Sequence, residues 1–120
     1  MDILNIEIMQ ELQVALWEKN KCIWPPLESN QARSSLLWMI EEMGEAISII
    51  KKRGEKDIIS DRCLREAFIE ELCDVLMFFT DVLIEFDISP KEFTKVYLQK
   101  HYKNMSRDFF NDDLQYLREK

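Results

Sequence analysis

The chain has 120 residues, 47% hydrophobic and 32% charged, with only 2 Gly and 3 Pro. That length suits a single domain over 1–120 with its own core, and so few breakers favour long helices over a many-turned β fold. A formal charge of −7 argues against a general nucleic-acid binder, which would show a basic surface, but not against a small anionic substrate, because bound cations can reverse the local field.

The N-terminus lacks the basic region of a signal peptide. The most apolar run, residues 75–86, is interrupted by Asp81 and Glu85 and is too short to span a bilayer. A soluble cytoplasmic protein with no membrane partner is therefore expected. Cys22, Cys63 and Cys73 form no C-x-x-C pair, so neither a disulfide framework nor a zinc knuckle is suggested. They read as small buried hydrophobes in a reducing compartment.

In chain order, residues 3–18 are loosely helical, with Asp2 as the expected N-cap. Trp24-Pro25-Pro26 then forces an extended connector, in which Trp24 is expected to pack over the core. The central helix begins near Ser29 or Asn30 and ends at Gly54, a C-cap preceded by Lys51, Lys52 and Arg53. At about 100° per residue, Leu36, Met39, Ile40, Met43, Ile47 and Ile50 fall on one side and are expected to face the core. Glu41, Glu42 and Glu45 crowd the opposite side. A solvated face is the ordinary explanation for such a stripe. Trp38 in the same arc, with Leu37 and Ile49 at its borders, instead implies that something covers it.

Residues 55–62 read as a polar connector with room for one turn of helix, and residues 63–86 as a second long helix. The second helix is apolar almost all round, the mark of a buried element. Glu71 and Asp74 lie on it among Phe68, Val75 and Phe78 and therefore need partners, since an unpaired buried carboxylate costs several kcal/mol. Ser89-Pro90-Lys91-Glu92 starts the last long helix, which runs to about Arg107. Lys100, Asn104 and Arg107 form a stripe on it. The remainder, with Phe109, Phe110, Leu114 and Leu117, is either a short docking helix or a tail.

Glu42-x-x-Glu45 and Glu71-x-x-Asp74 each place two carboxylates on one helix face. If the two helices pack side by side, the four groups repel one another unless cations lie between them. All-oxygen ligands suit Mg²⁺, with Mn²⁺ as the alternative. A redox di-iron site is disfavoured because it uses Glu-x-x-His on two helices, whereas His101 is the single histidine and reads as a surface or packing residue. Lys100 and Arg107 can neutralise phosphate oxygens, with Asn104 adding a hydrogen bond. Taken singly, these residues read as solvated surface groups.

The ordered elements Glu41-Glu42-x-x-Glu45, Glu71-x-x-Asp74 and Lys100-x-x-x-Asn104-x-x-Arg107 resemble those of the all-α nucleoside triphosphate pyrophosphohydrolases, the superfamily of MazG-like proteins and dimeric dUTPases. The similarity covers roughly residues 30–110, and the phrase LLWMIEEMGE looks closest to small MazG-like proteins. The resemblance implies an all-α bundle of about four main helices completed by dimerisation, or a tetramer. It further implies cleavage of a nucleoside triphosphate to monophosphate and pyrophosphate. It would place Mg²⁺ on Glu42, Glu45, Glu71 and Asp74, with Glu41 orienting or deprotonating the attacking water. Trp38 would stack on the base, residues 22–33 would contribute to the base pocket, and Lys100, Asn104 and Arg107 would grip phosphates. The competing reading is a non-catalytic helical protein that associates with itself through the same scaffold. Retention of all four carboxylates and the basic stripe favours the enzyme.

Overall fold

The computed structural model describes residues 3–119, and all regular structure among them is helical. The helices are α1 (Ile6–Asn20), α2 (Ala32–Ser60), α3 (Arg62–Glu85), α4 (Pro90–Ser106) and α5 (Phe109–Glu119), and a 3₁₀ turn at Ser29–Gln31 leads into α2. The chain divides into two compact units, Met1–Ser89 and Pro90–Lys120.

In the first unit, α1 is capped by Asn5, whose side chain accepts the Ile8 N–H at 2.9 Å. Asp2, expected in that role, lies outside the described residues. The helix therefore starts later than its apolar pattern implies. Gly54 breaks α2 with φ 80° and ψ 163°, a conformation essentially restricted to glycine. The predicted stop is thus real, and helix resumes beyond it up to Ser60. Asp61 is extended and accepts the Leu64 N–H at 3.2 Å, which starts α3. At the far end of α3 the Ile88 N–H donates to the Leu83 carbonyl (2.8 Å) and the Asp87 N–H to that of Ile84 (3.0 Å). This is a Schellman closure, with Asp87 at φ 53° in the place glycine usually takes.

α3 is the element on which both α1 and α2 pack. Ser35 bonds Glu85, the Trp38 ring lies 5.8 Å from that of Phe78, and Glu42 and Glu45 meet Glu71. Partners descend along α3 as they ascend along α2, so the two helices are antiparallel. Small buried residues on α2, namely Ala32, Ser35 and Ala46, let the backbones approach. On the α1 side, the Gln10 Nε2 donates to the Ile88 carbonyl at 2.9 Å and the Gln13 Nε2 to Asp81 Oδ1 at 2.8 Å. These bonds join residues 78 and 68 positions apart and fix how α1 lies on α3.

Two expectations are corrected here. The glutamate arc of α2, not its apolar stripe, faces α3. Leu36, Ile40, Met43 and Ile47 are exposed, Ile40 at 55% and Ile47 at 62%. The helical period was sound, but the sequence of one chain does not tell whether an apolar face is buried within it or against another surface. Ile69, Leu72 and Leu76 form a similar open stripe on α3. The cysteines are likewise not buried: Cys22, Cys63 and Cys73 are all exposed, on the connector, the first turn of α3 and its open side.

In the second unit, α4 begins at Pro90 as its start signal predicts, and His101 and its neighbour Tyr102 are exposed. Arg107 lies beyond the end of α4 and so leaves the stripe of Lys100 and Asn104. Its guanidinium bonds Asp112 at 3.2 Å and covers the Phe109 ring at 4.4 Å. Asp108 caps α5 by accepting the Asn111 N–H at 3.1 Å, so the residues after Arg107 are helical rather than a loose tail. No helix among the described residues is long and apolar enough to cross a membrane.

Candidate metal centre and adjoining cavity

The antiparallel pairing of α2 and α3 determines which carboxylates meet. Glu42 and Glu45 are separated by three positions and so project together, and Glu71 projects towards them from α3. One oxygen from each of these three residues lies within 4.8 Å of the others. Glu42 Oε2 and Glu71 Oε2 are both withdrawn from solvent and have no hydrogen-bond donor. Asp74 stands outside this trio, but its charge acts on Glu42. Glu41 lies with Glu42 and Asp74 along the wall of a neighbouring cavity.

The electrostatics follow from crowding. The Glu71 carboxyl is pushed up to about 7, chiefly by the hydrogen bonds it shares with Glu42 and Glu45, then by burial and by the charges of the same two residues. The bond with Glu71 pulls Glu42 down, but loss of solvent and the charges of Glu45 and Asp74 outweigh it and leave Glu42 raised. With all groups ionised, the two buried oxygens lack any positive partner. Either a proton on Glu71 or a cation resolves this.

A hard divalent cation fits the donor set. Octahedral Mg²⁺ holds oxygens at about 2.1 Å, hence roughly 3.0–4.2 Å from one another. The observed spread of up to 4.8 Å needs only a small inward turn of side chains. Glu42, Glu45 and Glu71 would be its primary ligands, with Asp74 alongside.

The adjoining cavity has a volume of about 480 Å³, within the range of small-molecule pockets. Its walls include the rings of Trp17, Trp24, Trp38 and Phe78, with Pro25 and Pro26 from the connector. The Trp17 indole N–H donates to the Pro25 carbonyl at 2.8 Å and so ties the connector to α1. Trp24 therefore lines the cavity, 43% exposed, instead of covering the core as expected. The Ile23 and Trp24 N–H groups both donate to the Asn20 carbonyl at 2.9 Å, a turn at the end of α1 that precedes the two prolines and sets the place of Trp24. Trp38 stands as predicted beside the glutamates and also forms part of the cavity wall.

The other end of the cavity is polar, and its residues were not singled out as a site in the sequence. Gln13, Ser35, Asp81 and Glu85 line it. The one available signal was the pair of acids interrupting the apolar run of α3. Lys100, Asn104 and Arg107 belong to the second unit, where Arg107 is engaged by Asp112 and Phe109.

No family model, curated protein or solved structure matches the chain.

Proposed function

We propose that the chain is a divalent-metal-dependent nucleotide pyrophosphohydrolase of the all-α, MazG-like type. The observation that carries this reading is the continuity of two features. The donorless oxygens of Glu42 and Glu71 lie beside an aromatic cavity that shares Glu42, Asp74 and Trp38 with the carboxylate region. A nucleoside triphosphate has the matching polarity, with a flat base at one end and a metal-seeking polyanion at the other.

A divalent cation at Glu42, Glu45, Glu71 and Asp74 would supply positive charge against the phosphates and make a nearby water more acidic. The chain's own residues do the rest. Trp38 stacks on the base, and the aromatic walls exclude water around it. Glu41, exposed at the cavity margin, orients the attacking water and takes its proton. The water oxygen bonds to phosphorus, the anhydride bond breaks, and its bridging oxygen leaves with pyrophosphate. Lys100, Asn104 and Arg107 are the chain's basic and polar groups suited to phosphate oxygens.

The open stripes of α2 and α3 support self-association as a dimer, or a tetramer. Leu36, Ile40 and Ile47 with Ile69, Leu72 and Leu76 make an apolar surface that a second copy of the chain would cover. That surface would serve a non-catalytic interaction protein equally well. The donorless carboxylates, which such a protein does not need, favour the enzyme.

The test is substitution at the carboxylates. Glu42→Gln and Asp74→Asn are expected to reduce turnover of a nucleoside triphosphate by on the order of a hundredfold or more while preserving helix content. Undiminished turnover in either variant would remove the proposed centre.

A further inference from the structure

The polar end of the cavity has a chemistry that hydrolysis does not require. Glu85 is 6% exposed, and its two oxygens differ. Oε2 accepts the Ser35 hydroxyl at 3.0 Å, whereas Oε1 is buried with no donor. Asp81, one helical turn earlier on α3, accepts from Gln13 Nε2 at 2.8 Å. The Gln13 amide and the Ser35 hydroxyl are thus already directed at these two acids. No Lys, Arg or His lines the cavity. What Glu85 itself leaves for an incoming molecule is the acceptor capacity of Oε1. Leaving a buried acceptor unpaired is costly, so a ligand that supplies an N–H gains more here than one that does not.

We propose that this end of the cavity is a reader of nucleobase amino groups, in which Glu85 Oε1 accepts an N–H from the exocyclic amine of a base held between the tryptophans. It rests on the reading of the cavity as a nucleotide site, but not on hydrolysis. A base with an amine at the ring position facing Glu85 is selected over its counterpart with a carbonyl there. The carbonyl oxygen brings a second acceptor against a buried acceptor and leaves both without a proton. Gln13, Ser35 and Asp81 are positioning residues: Ser35 holds Glu85 Oε2 and leaves Oε1 without a donor in a residue of the cavity wall, and Gln13 occupies Asp81. Burial raises Glu85, with the Ser35 bond opposing and the charge of Asp81 adding, and an N–H donor from a ligand would favour its ionised form.

The experiment is binding without catalysis. All 3 tryptophans of the chain line the cavity, so intrinsic fluorescence reports a ligand there. Deoxycytidine and deoxyuridine monophosphates form one matched pair, and adenosine and inosine monophosphates form another. In each pair an amine and a carbonyl exchange at the same ring position. At least one amino member is expected to bind on the order of tenfold or more tightly than its carbonyl partner. Glu85→Gln, which offers an amide N–H in place of an oxygen, is expected to abolish or invert that preference. Equal affinity within both pairs, no binding by any of the four, or an unchanged preference in folded Glu85→Gln would overturn the proposal. Selective binding by a protein that hydrolyses no nucleoside triphosphate would uphold the base reader and refute the hydrolase.

Discussion

Glu42 on α2 and Glu71 on α3 bring carboxylate oxygens within 4.8 Å of each other, and each keeps one buried oxygen to which nothing donates. Two helices rarely pack with such groups between them unless a proton or a cation completes the contact. The behaviour of the chain towards pH and metal follows from this contact.

Glu71 titrates in the folded chain at about 7, well above its ordinary value of 4.5. The folded state therefore binds the proton more tightly than the unfolded state. The resulting stabilisation is complete below the ordinary value and is lost as pH rises through about 7. Metal-free protein is expected to melt lower at pH about 8 than at about 5, and millimolar Mg²⁺ is expected to restore the loss at the higher pH only. Thermal melts with and without chelator check this. A metal-free melting temperature that rises over that interval would contradict it.

The apolar stripe of α2 predicts an association that charge should break. Ile40→Glu and Ile47→Asp place a charge at the centre of the open face and are expected to raise the dissociation constant of the oligomer by on the order of a hundredfold. Light scattering coupled to size exclusion measures it. A wild-type chain that is monomeric at high micromolar concentration would contradict the proposed interface.

The Gln13–Asp81 bond predicts a non-additive pair. Gln13→Leu leaves a half-buried carboxylate without its donor and is expected to cost about 1–3 kcal/mol. Adding Asp81→Leu is expected to recover most of that loss, because the acid that needed the donor is gone. Urea unfolding of the single and double variants provides the comparison, and additive losses would show that the bond is not what matters there.

The two glycines make opposite predictions. Neither has a heavy atom near the position of an added Cβ. Gly54→Ala forces a side chain into a φ of +80° and is expected to cost about 1–2 kcal/mol. Gly44→Ala lies within regular helix and is expected to stabilise by about 0.5–1 kcal/mol. Denaturant midpoints of the two variants should move in opposite directions.

Much of the scaffold was legible because its signals are local. Gly54 announced the break in α2 through its conformational range, and Ser89-Pro90 announced α4. The i, i+3 spacing of Glu42 with Glu45 put them together before any helix packing was known, and Trp38 beside them signalled a covered face. Less local relationships were not legible. Helical period identified the stripe of Leu36, Ile40, Met43 and Ile47 but not what covers it, so the buried face of α2 was assigned to the wrong side. Trp24 depended on the turn that its own N–H and that of Ile23 close on the Asn20 carbonyl. Asp81 and Glu85 stood out as interruptions in an apolar run, yet only the approach of Gln13 from α1 and Ser35 from α2 makes them the end of a cavity. Arg107 left its stripe because Asp108 starts a new helix one residue later.

The most direct measurement is the product of incubating the protein and Mg²⁺ with a panel of ribo- and deoxyribonucleoside triphosphates, with pyrophosphate resolved from orthophosphate. The account predicts pyrophosphate and monophosphate from one or a few bases, lost on chelation and in Glu42→Gln. Orthophosphate as the sole product, or no cleavage of any triphosphate by protein that binds Mg²⁺, would contradict it.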